Sequence, residues 1–92
     1  RGTLGDTIIE DGVAIGPLCC IAHGVIIKKD TFISQSVIIA GSSTIGERTY
    51  IYGNASVRDG IKIGKNVVVG MGSVVVKDVE DSTVVFGNPA KK

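Results

Sequence analysis

Hydrophobic and polar positions repeat along this chain with a period of six residues. Ile9, Ile15, Ile21, Ile27, Ile33, Ile39, Ile45, Ile51, Val57, Ile63, Val69 and Val75 form one unbroken column. Twelve consecutive β-branched aliphatics at that spacing fit no helix period. Two residues before each anchor stands a small or compact residue: Thr7, Val13, Cys19, Val25, Thr31, Val37, Ser43, Thr49, Ala55, Ile61, Val67 and Ser73. One residue after the anchors, Gly16, Ala22, Ala40, Gly46, Gly64 and Gly70 recur, while Glu10, Lys28, Tyr52 and Arg58 interrupt that column. A hexapeptide repeat reads as a parallel β-helix. Residues two apart on a strand face the same way, so the anchor and the compact residue point inward and the residue between them points out. A strand of about three or four residues and a bend make one side of a prism. Three sides close a coil of eighteen residues, and twelve hexapeptides make four coils. Coils then stack at the strand spacing of about 4.8 Å, each contacting only its neighbours.

The bends are marked by chemistry as well as by counting. Gly12, Gly24, Asp30, Asn54, Gly60, Asn66, Gly72 and Asp78 share one column three after the anchors, and these residue types tolerate positive φ. The column before it stacks into three edges. One carries Asp11, Lys29, Glu47 and Lys65, whose alternating charges are expected to add a few tenths of a kcal/mol per pair. A second carries Pro17, Gln35, Gly53 and Met71. The third carries Gly5, His23, Gly41, Asp59 and Lys77, and so includes the single histidine of the chain. Arg1 to Asp6 reads as a ragged first coil, with Thr3 in the anchor column. After Val75 the register is expected to fail: Asp81 falls in the anchor column, Val79-Glu80-Asp81-Ser82 reads as an exit turn, and Val84-Val85-Phe86 as a last strand over the open end. The fold class expected is therefore all-β, a parallel β-helix of about four to five triangular coils over residues 1–84, with a short aperiodic C-terminal tail, 85–92.

The outward positions are less polar than a solvated surface requires. One face presents Ile8, Ile26, Thr44 and Lys62, another Ala14, Phe32, Tyr50 and Val68, the third Cys20, Ile38, Ser56 and Val74. Contiguous apolar rows mark an interface, and a three-sided prism suits cyclic threefold assembly, a homotrimer.

Composition narrows the classes further. Ninety-two residues make one domain. A formal net charge of +1, with basic residues scattered singly, argues against nucleic acid. Apolar runs broken by glycine fall far short of the roughly 20 residues of a membrane span. No secretory signal is visible, and the chain starts at Arg1, as a fragment or processed product would. Cys19 and Cys20 are adjacent, so their side chains point to opposite faces, and they read as an inward filler and an exposed thiol in a reducing, cytoplasmic setting. One histidine and two adjacent cysteines do not make a zinc site.

The repeat resembles that of the hexapeptide-repeat acyltransferases, and that resemblance implies a left-handed winding. Arg1-Gly2-Thr3-Leu4-Gly5-Asp6-Thr7-Ile8-Ile9-Glu10-Asp11-Gly12 resembles the segment leading into the active site of the lipid A pathway UDP-3-O-acylglucosamine N-acyltransferases. Ile21-Ala22-His23 resembles their catalytic histidine motif, and Ile39-Ala40-Gly41-Ser42-Ser43 the segment one coil later. The resemblance makes His23 the general base and the Gly41 amide the oxyanion donor. The tail is different: Gly70-Met71-Gly72-Ser73-Val74-Val75-Val76-Lys77-Asp78-Val79 and Gly87-Asn88-Pro89-Ala90-Lys91 resemble acetyl-CoA-dependent sugar acetyltransferases. By that likeness Gly70, Met71, Gly72, Lys77, Gly87, Asn88, Pro89 and Lys91 line the thioester arm and the 3′-phosphate of CoA.

Elementary chemistry runs the same way. Acyl transfer from a thioester to an amine needs a base, and an imidazole, with an ordinary pKa of about 6.5, serves at neutral pH. It needs an N–H aimed at the developing oxyanion. Eighteen residues above His23 stands Gly41, where a bare backbone admits a substrate. Asp59, two coils up, is placed to hold an incoming ammonium or to orient the histidine through water. The resemblance implies, as the function expected, transfer of an acyl group, acetyl by preference, from a CoA thioester to an amine of a nucleotide-linked amino sugar, with acetyl-CoA a co-substrate and no tightly bound cofactor. Two alternatives stay open: a long-chain N-acyltransferase fed by acyl carrier protein, as in the lipid A pathway, and a non-catalytic trimeric scaffold or binding module in which His23 is a solvated bend residue and Lys77, Lys91 and Lys92 are ordinary surface charges.

Overall fold

The computed structural model describes residues 2–4 and 7–92. After β1 (Gly2–Leu4) and β2 (Thr7–Ile9), the strands are two residues long, an outward residue and its anchor: β3 (Ala14–Ile15), β4 (Cys20–Ile21), β5 (Ile26–Ile27), β6 (Phe32–Ile33), β7 (Ile38–Ile39), β8 (Thr44–Ile45), β9 (Tyr50–Ile51), β10 (Ser56–Val57), β11 (Lys62–Ile63), β12 (Val68–Val69), β13 (Val74–Val75) and β14 (Val84–Val85). They are shorter than the periodicity suggests because the bends take up the remaining residues of each repeat. From β2 to β13 every third strand pairs in parallel, while β1 joins β2 antiparallel and β14 joins β12, giving three sheets ordered β1-β2-β5-β8-β11, β4-β7-β10-β13 and β3-β6-β9-β12-β14. The register is eighteen residues per coil: Ile9 opposes Ile27, Ile27 opposes Ile45, and Ile45 opposes Ile63. No helix is present among the described residues, and the three parallel sheets close a left-handed β-helix of about four turns.

The anchors fill the axis. Ile27, Ile33, Ile39, Ile45 and Ile51 are wholly buried, while Ile9, Ile15 and Ile21, in the first coil of the described residues, are partly covered. The compact column does more than fill corners. Thr7, Cys19, Thr31, Ser43 and Thr49 each donate a side-chain hydrogen bond to a carbonyl fifteen residues on, to Ala22, Ser34, Gly46, Arg58 and Gly64 respectively. Those carbonyls follow the anchors of the next bend and are not taken by the ladder between coils, so a hydroxyl or thiol satisfies what an aliphatic residue would leave unpaired. Cys19 thus points inward and Cys20 is exposed, both as free thiols.

At each bend the second residue sits in the left-handed region. Gly12, Gly24, Gly60 and Gly72 are there, and so are Leu18 (φ 63°), Ser36, Ser42 and Arg48, residues that the sequence column does not advertise. The winding imposes the conformation, because the second bend N–H must reach the first bend carbonyl of the coil below: Asn54 to Gln35 at 3.0 Å and Asn66 to Glu47 at 2.8 Å. On the edge carrying Asp11, Lys29, Glu47 and Lys65, the described residues form no ion pairs with one another. Glu47 pairs instead with Arg48 at 3.3 Å, and Arg48 also donates to Asn66.

Both ends depart from the sequence expectation. Residues 2–4 do not make a coil: β1 runs antiparallel to β2, with Thr3 opposite Ile8, and so borders the first sheet. Arg1, Gly5 and Asp6, which share that expectation, lie outside the described residues. After Val75 the register does not fail but shifts by two. Val79 bridges Ile63 and Val85 pairs with Val69, sixteen residues on rather than eighteen. The shortened bend removes Asp78 from the positive-φ column, and Ser82 (φ 58°) takes up that conformation at the next bend. The Asp78 carboxylate accepts the Lys62 N–H in place of the carbonyl that the regular register supplies, and Asp81 accepts the bend N–H of Lys65, each at 2.9 Å. The tail is ordered too. Phe86 and Lys91 exchange both backbone hydrogen bonds at 2.9 Å, closing a hairpin around Gly87, Asn88, Pro89 and Ala90. The Gly87 carbonyl accepts from Val74 and the Ala90 N–H donates to Val74, so the hairpin is seated on β13 as a cap.

Candidate functional site

The edge that carries the histidine is a ladder of bends. His23 is an exposed first-bend residue between β4 and β5. Its carbonyl accepts the Ser42 N–H at 3.0 Å, and the Gly41 carbonyl accepts the Gly60 N–H at 2.9 Å. His23, Gly41 and Asp59 therefore lie on one edge, on successive rungs, as the eighteen-residue period requires. Gly41 does two things there. A Cβ at this position would stand 3.1 Å from the His23 carbonyl oxygen, so the position tolerates a side chain poorly. Among the described residues nothing accepts from the Gly41 N–H, which leaves a backbone donor one rung from the imidazole-bearing residue. The flanking residues Ala22 and Ala40 are small, so the rung of Gly41 is a gap between His23 and the longer side chains two rungs up. Asp59 is exposed, and its Oδ1 is 3.9 Å from Arg58 Nε.

The residues expected to hold a CoA thioester divide between two places. Gly70, Met71 and Gly72 lie on the edge of Pro17, Gln35 and Gly53, where the Gly72 N–H donates to the Gly53 carbonyl at 2.9 Å. Met71 is exposed there, and Gly72 has φ of 70°. At Gly70 a Cβ would come within 2.9 Å of Phe86 Cβ, so the glycine is what lets the tail hairpin sit down. Lys77 and Lys91 line a cleft of about 380 Å³ at the C-terminal end, floored by Val79, Val85 and Ala90. Gly87 (φ 101°), Asn88 and Pro89, with a cis bond before the proline, form the hairpin between these two places. Lys92, on the same cleft, pairs with Glu80 at 3.6 Å. The register shift explains why Lys77 leaves the column of His23, Gly41 and Asp59: the bend it would have occupied is two residues short. Among the described residues no group of three His, Cys, Asp or Glu side chains is placed to hold a metal, and no helix is long and apolar enough to cross a membrane.

The described residues thus form a left-handed parallel β-helix with His23 and the Gly41 amide stacked on one edge. Within it, residues 42–77 match the family model described as bacterial transferase hexapeptide (six repeats). The chain is 39% identical over 79 residues, 86% of its length, to a UDP-3-O-acylglucosamine N-acyltransferase of Bordetella pertussis, and 43% identical over 90 residues to that of Rickettsia akari. It spans only 22% and 26% of the lengths of these curated relatives. Among solved structures, a serine acetyltransferase of Neisseria gonorrhoeae in complex with serine superposes with a TM-score of 0.73 at 30% identity, covering 88% of this chain and 39% of that one. A histidine-to-asparagine variant of perosamine N-acetyltransferase from Caulobacter crescentus, in complex with CoA and GDP-perosamine, gives 0.57 at 27% identity, over 97% of this chain and 54% of that one. Over most of its own length the chain is thus similar to acyltransferases, and part of it carries the hexapeptide repeat of bacterial transferases.

Sequence reasoning misses two features around this edge. The hydroxyl and thiol donors of the compact column look like filler, because their acceptors lie fifteen residues away on a different side of the prism. Arg58 looks like an interruption of a small-residue column. Its position two rungs above Ala22, on the His23 edge, follows from the same eighteen-residue arithmetic that placed Gly41.

Proposed function

We propose that this chain is the catalytic β-helix of an acyltransferase that moves an acyl group, acetyl in the preferred reading, from a CoA thioester to an amine of a nucleotide-linked amino sugar. The observation that carries it is the Gly41 N–H, unclaimed by the coil ladder and one rung from His23. His23 takes the proton from the attacking amine as the new C–N bond forms. The Gly41 N–H donates to the oxyanion of the tetrahedral intermediate. The C–S bond then breaks, and the proton held by His23 passes to the departing thiolate, so amide and free thiol leave together. Asp59 attracts the acceptor amine to the edge. The Gly70–Gly72 edge and the Lys77–Lys91 cleft cradle the thioester arm and its phosphate, with the tail hairpin between them. The donor preference is supported by the CoA and GDP-perosamine held by the Caulobacter enzyme. The identity with UDP-3-O-acylglucosamine N-acyltransferases supports a longer acyl chain on a carrier protein as the second reading.

The chain acts as a homotrimer in this reading, with sites in the clefts between neighbouring prisms. Phe32, Tyr50 and Val84 form an exposed apolar column on one face, with the Phe32 and Tyr50 rings 5.7 Å apart, and such a row suits burial against a neighbour. The test is thioester turnover with acetyl-CoA and an amino-sugar nucleotide. His23→Ala is expected to lose roughly 10²–10⁴ in kcat while CoA binding persists. A variant with full turnover would remove His23 from the mechanism, and neither binding nor turnover by the native protein would leave the scaffold reading in its place.

A further inference from the structure

Two arginines with described side chains stand on different edges in opposite situations. Arg48, on the edge of Glu47, is engaged: its Nε donates to Asn66 Oδ1 at 3.1 Å and its Nη1 meets Glu47 Oε1 at 3.3 Å. Arg58, on the His23 edge, makes no side-chain hydrogen bond among the described residues, and its side chain has one long ion pair, to Asp59. Its N–H donates to the Val75 carbonyl at 3.0 Å and its carbonyl accepts from Ser43 Oγ at 2.9 Å. Its side chain is 67% exposed, and the Asp59 carboxylate with which it pairs is 3.9 Å from Nε, beyond hydrogen-bond length. Five N–H donors on a fixed root are thus left for a ligand. Below them the Ala40–Gly41–Ser42 rung projects no long side chain, and below that stands His23. Two rungs of about 4.8 Å put the root of Arg58 roughly 10 Å from that of His23.

Resting on the acyl-transfer reading, we propose that Arg58 is the specificity residue of the acceptor site and binds the diphosphate of a nucleotide-linked amino sugar while the sugar amine lies at His23. A planar guanidinium meets phosphate oxygens in a bidentate fork. The adjoining Asp59 carboxylate opposes that contact while attracting the amine, so the pair favours acceptors carrying both a cation and an anion over either alone.

The test is calorimetric titration of the whole protein with inorganic pyrophosphate, CoA being present in saturating amount to fill its own phosphate contacts. Arg58→Gln is expected to weaken pyrophosphate binding roughly tenfold, Arg58→Lys to fall between, and Asp59→Asn to tighten it. Arg48→Gln, on the other edge, leaves it unchanged. In turnover, Arg58→Gln raises KM for a nucleotide-linked amino sugar, leaves kcat, and does not alter KM for the free amino sugar. Equal pyrophosphate affinity in Arg58→Gln and native protein, or an equal loss in Arg48→Gln, overturns the assignment. If His23→Ala abolishes turnover while Arg58→Gln binds pyrophosphate normally, the anion site is wrong and the transfer reaction stands. If Arg58→Gln loses pyrophosphate in a protein that turns over no thioester, the anion contact stands and the transfer reaction falls.

Discussion

Replacing Thr31 by Val tests whether the compact column works by hydrogen bonding or by filling space. The two side chains have nearly the same shape, so packing is conserved and the hydroxyl alone is lost. Thr31 is 1% exposed, and its Oγ1 donates to the Gly46 carbonyl at 2.8 Å. The same oxygen lies 3.5 Å from the Thr49 N–H, a longer and weaker contact. The substitution strands a buried carbonyl and removes the partner of a buried N–H. Leaving such a group unsatisfied costs about 1–3 kcal/mol. A methyl in place of the hydroxyl returns up to about 0.8 kcal/mol of apolar burial, so the net loss expected is about 1–2 kcal/mol. Urea unfolding followed by circular dichroism reads this directly. With a slope of about 1–3 kcal/mol per molar for a small protein, the midpoint falls by roughly 1 M at unchanged slope. Thr44→Val makes the same chemical change at an outward strand position where no hydrogen bond is made, and is expected to stay within about 0.5 kcal/mol of the native protein. If the two variants unfold at the same urea concentration, the corner hydroxyls are spacers and the account of the column is wrong.

Other substitutions probe the bends and the edge. At Gly46 an added Cβ would collide with the Gly64 carbonyl, backbone against backbone, so Gly46→Ala is expected to cost about 3 kcal/mol or more. Gly60→Ala meets nothing within 4 Å and should cost about 1 kcal/mol from its positive φ alone, which thermal unfolding of the pair will separate. Leu18 holds φ of 63° with its side chain 86% exposed, so Leu18→Asn should stabilise by about 0.5–1 kcal/mol; a loss of stability would show that the leucine is covered in the assembled protein. Gly41→Ala keeps the N–H but places a methyl where a substrate must approach, and should lower kcat by up to about 10²-fold with a modest fall in melting temperature from the close approach to the His23 carbonyl. Unchanged kcat there would move the oxyanion donor elsewhere.

A six-residue period is a local property, and what depends on it alone could be read from the chain. The anchors, the three faces, the bends and the stacking of Gly41 over His23 all follow from counting in sixes and eighteens, because each coil repeats the one before. Even the Phe32–Tyr50 pair was legible in this way. What counting could not reach is where the repeat is broken or crossed. Thr31 and Gly46 are fifteen residues apart, so their hydrogen bond joins different columns and appears only once the coils have a depth and a slant. The two-residue shift at the last bend was invisible because Asp81 in an anchor column looks like an ending. The structure shows a shorter coil in which the Asp78 carboxylate stands in for a missing carbonyl and Asp81 accepts a bend N–H. Positive φ at Leu18 and Arg48 came from the closure of the prism rather than from any preference of those residues. Finally, Arg48 and Arg58 are the same residue type in similar company. Only the folded edge decides which finds its partners at home and which keeps its donors for something else, because reach is a matter of a few ångströms and not of sequence spacing.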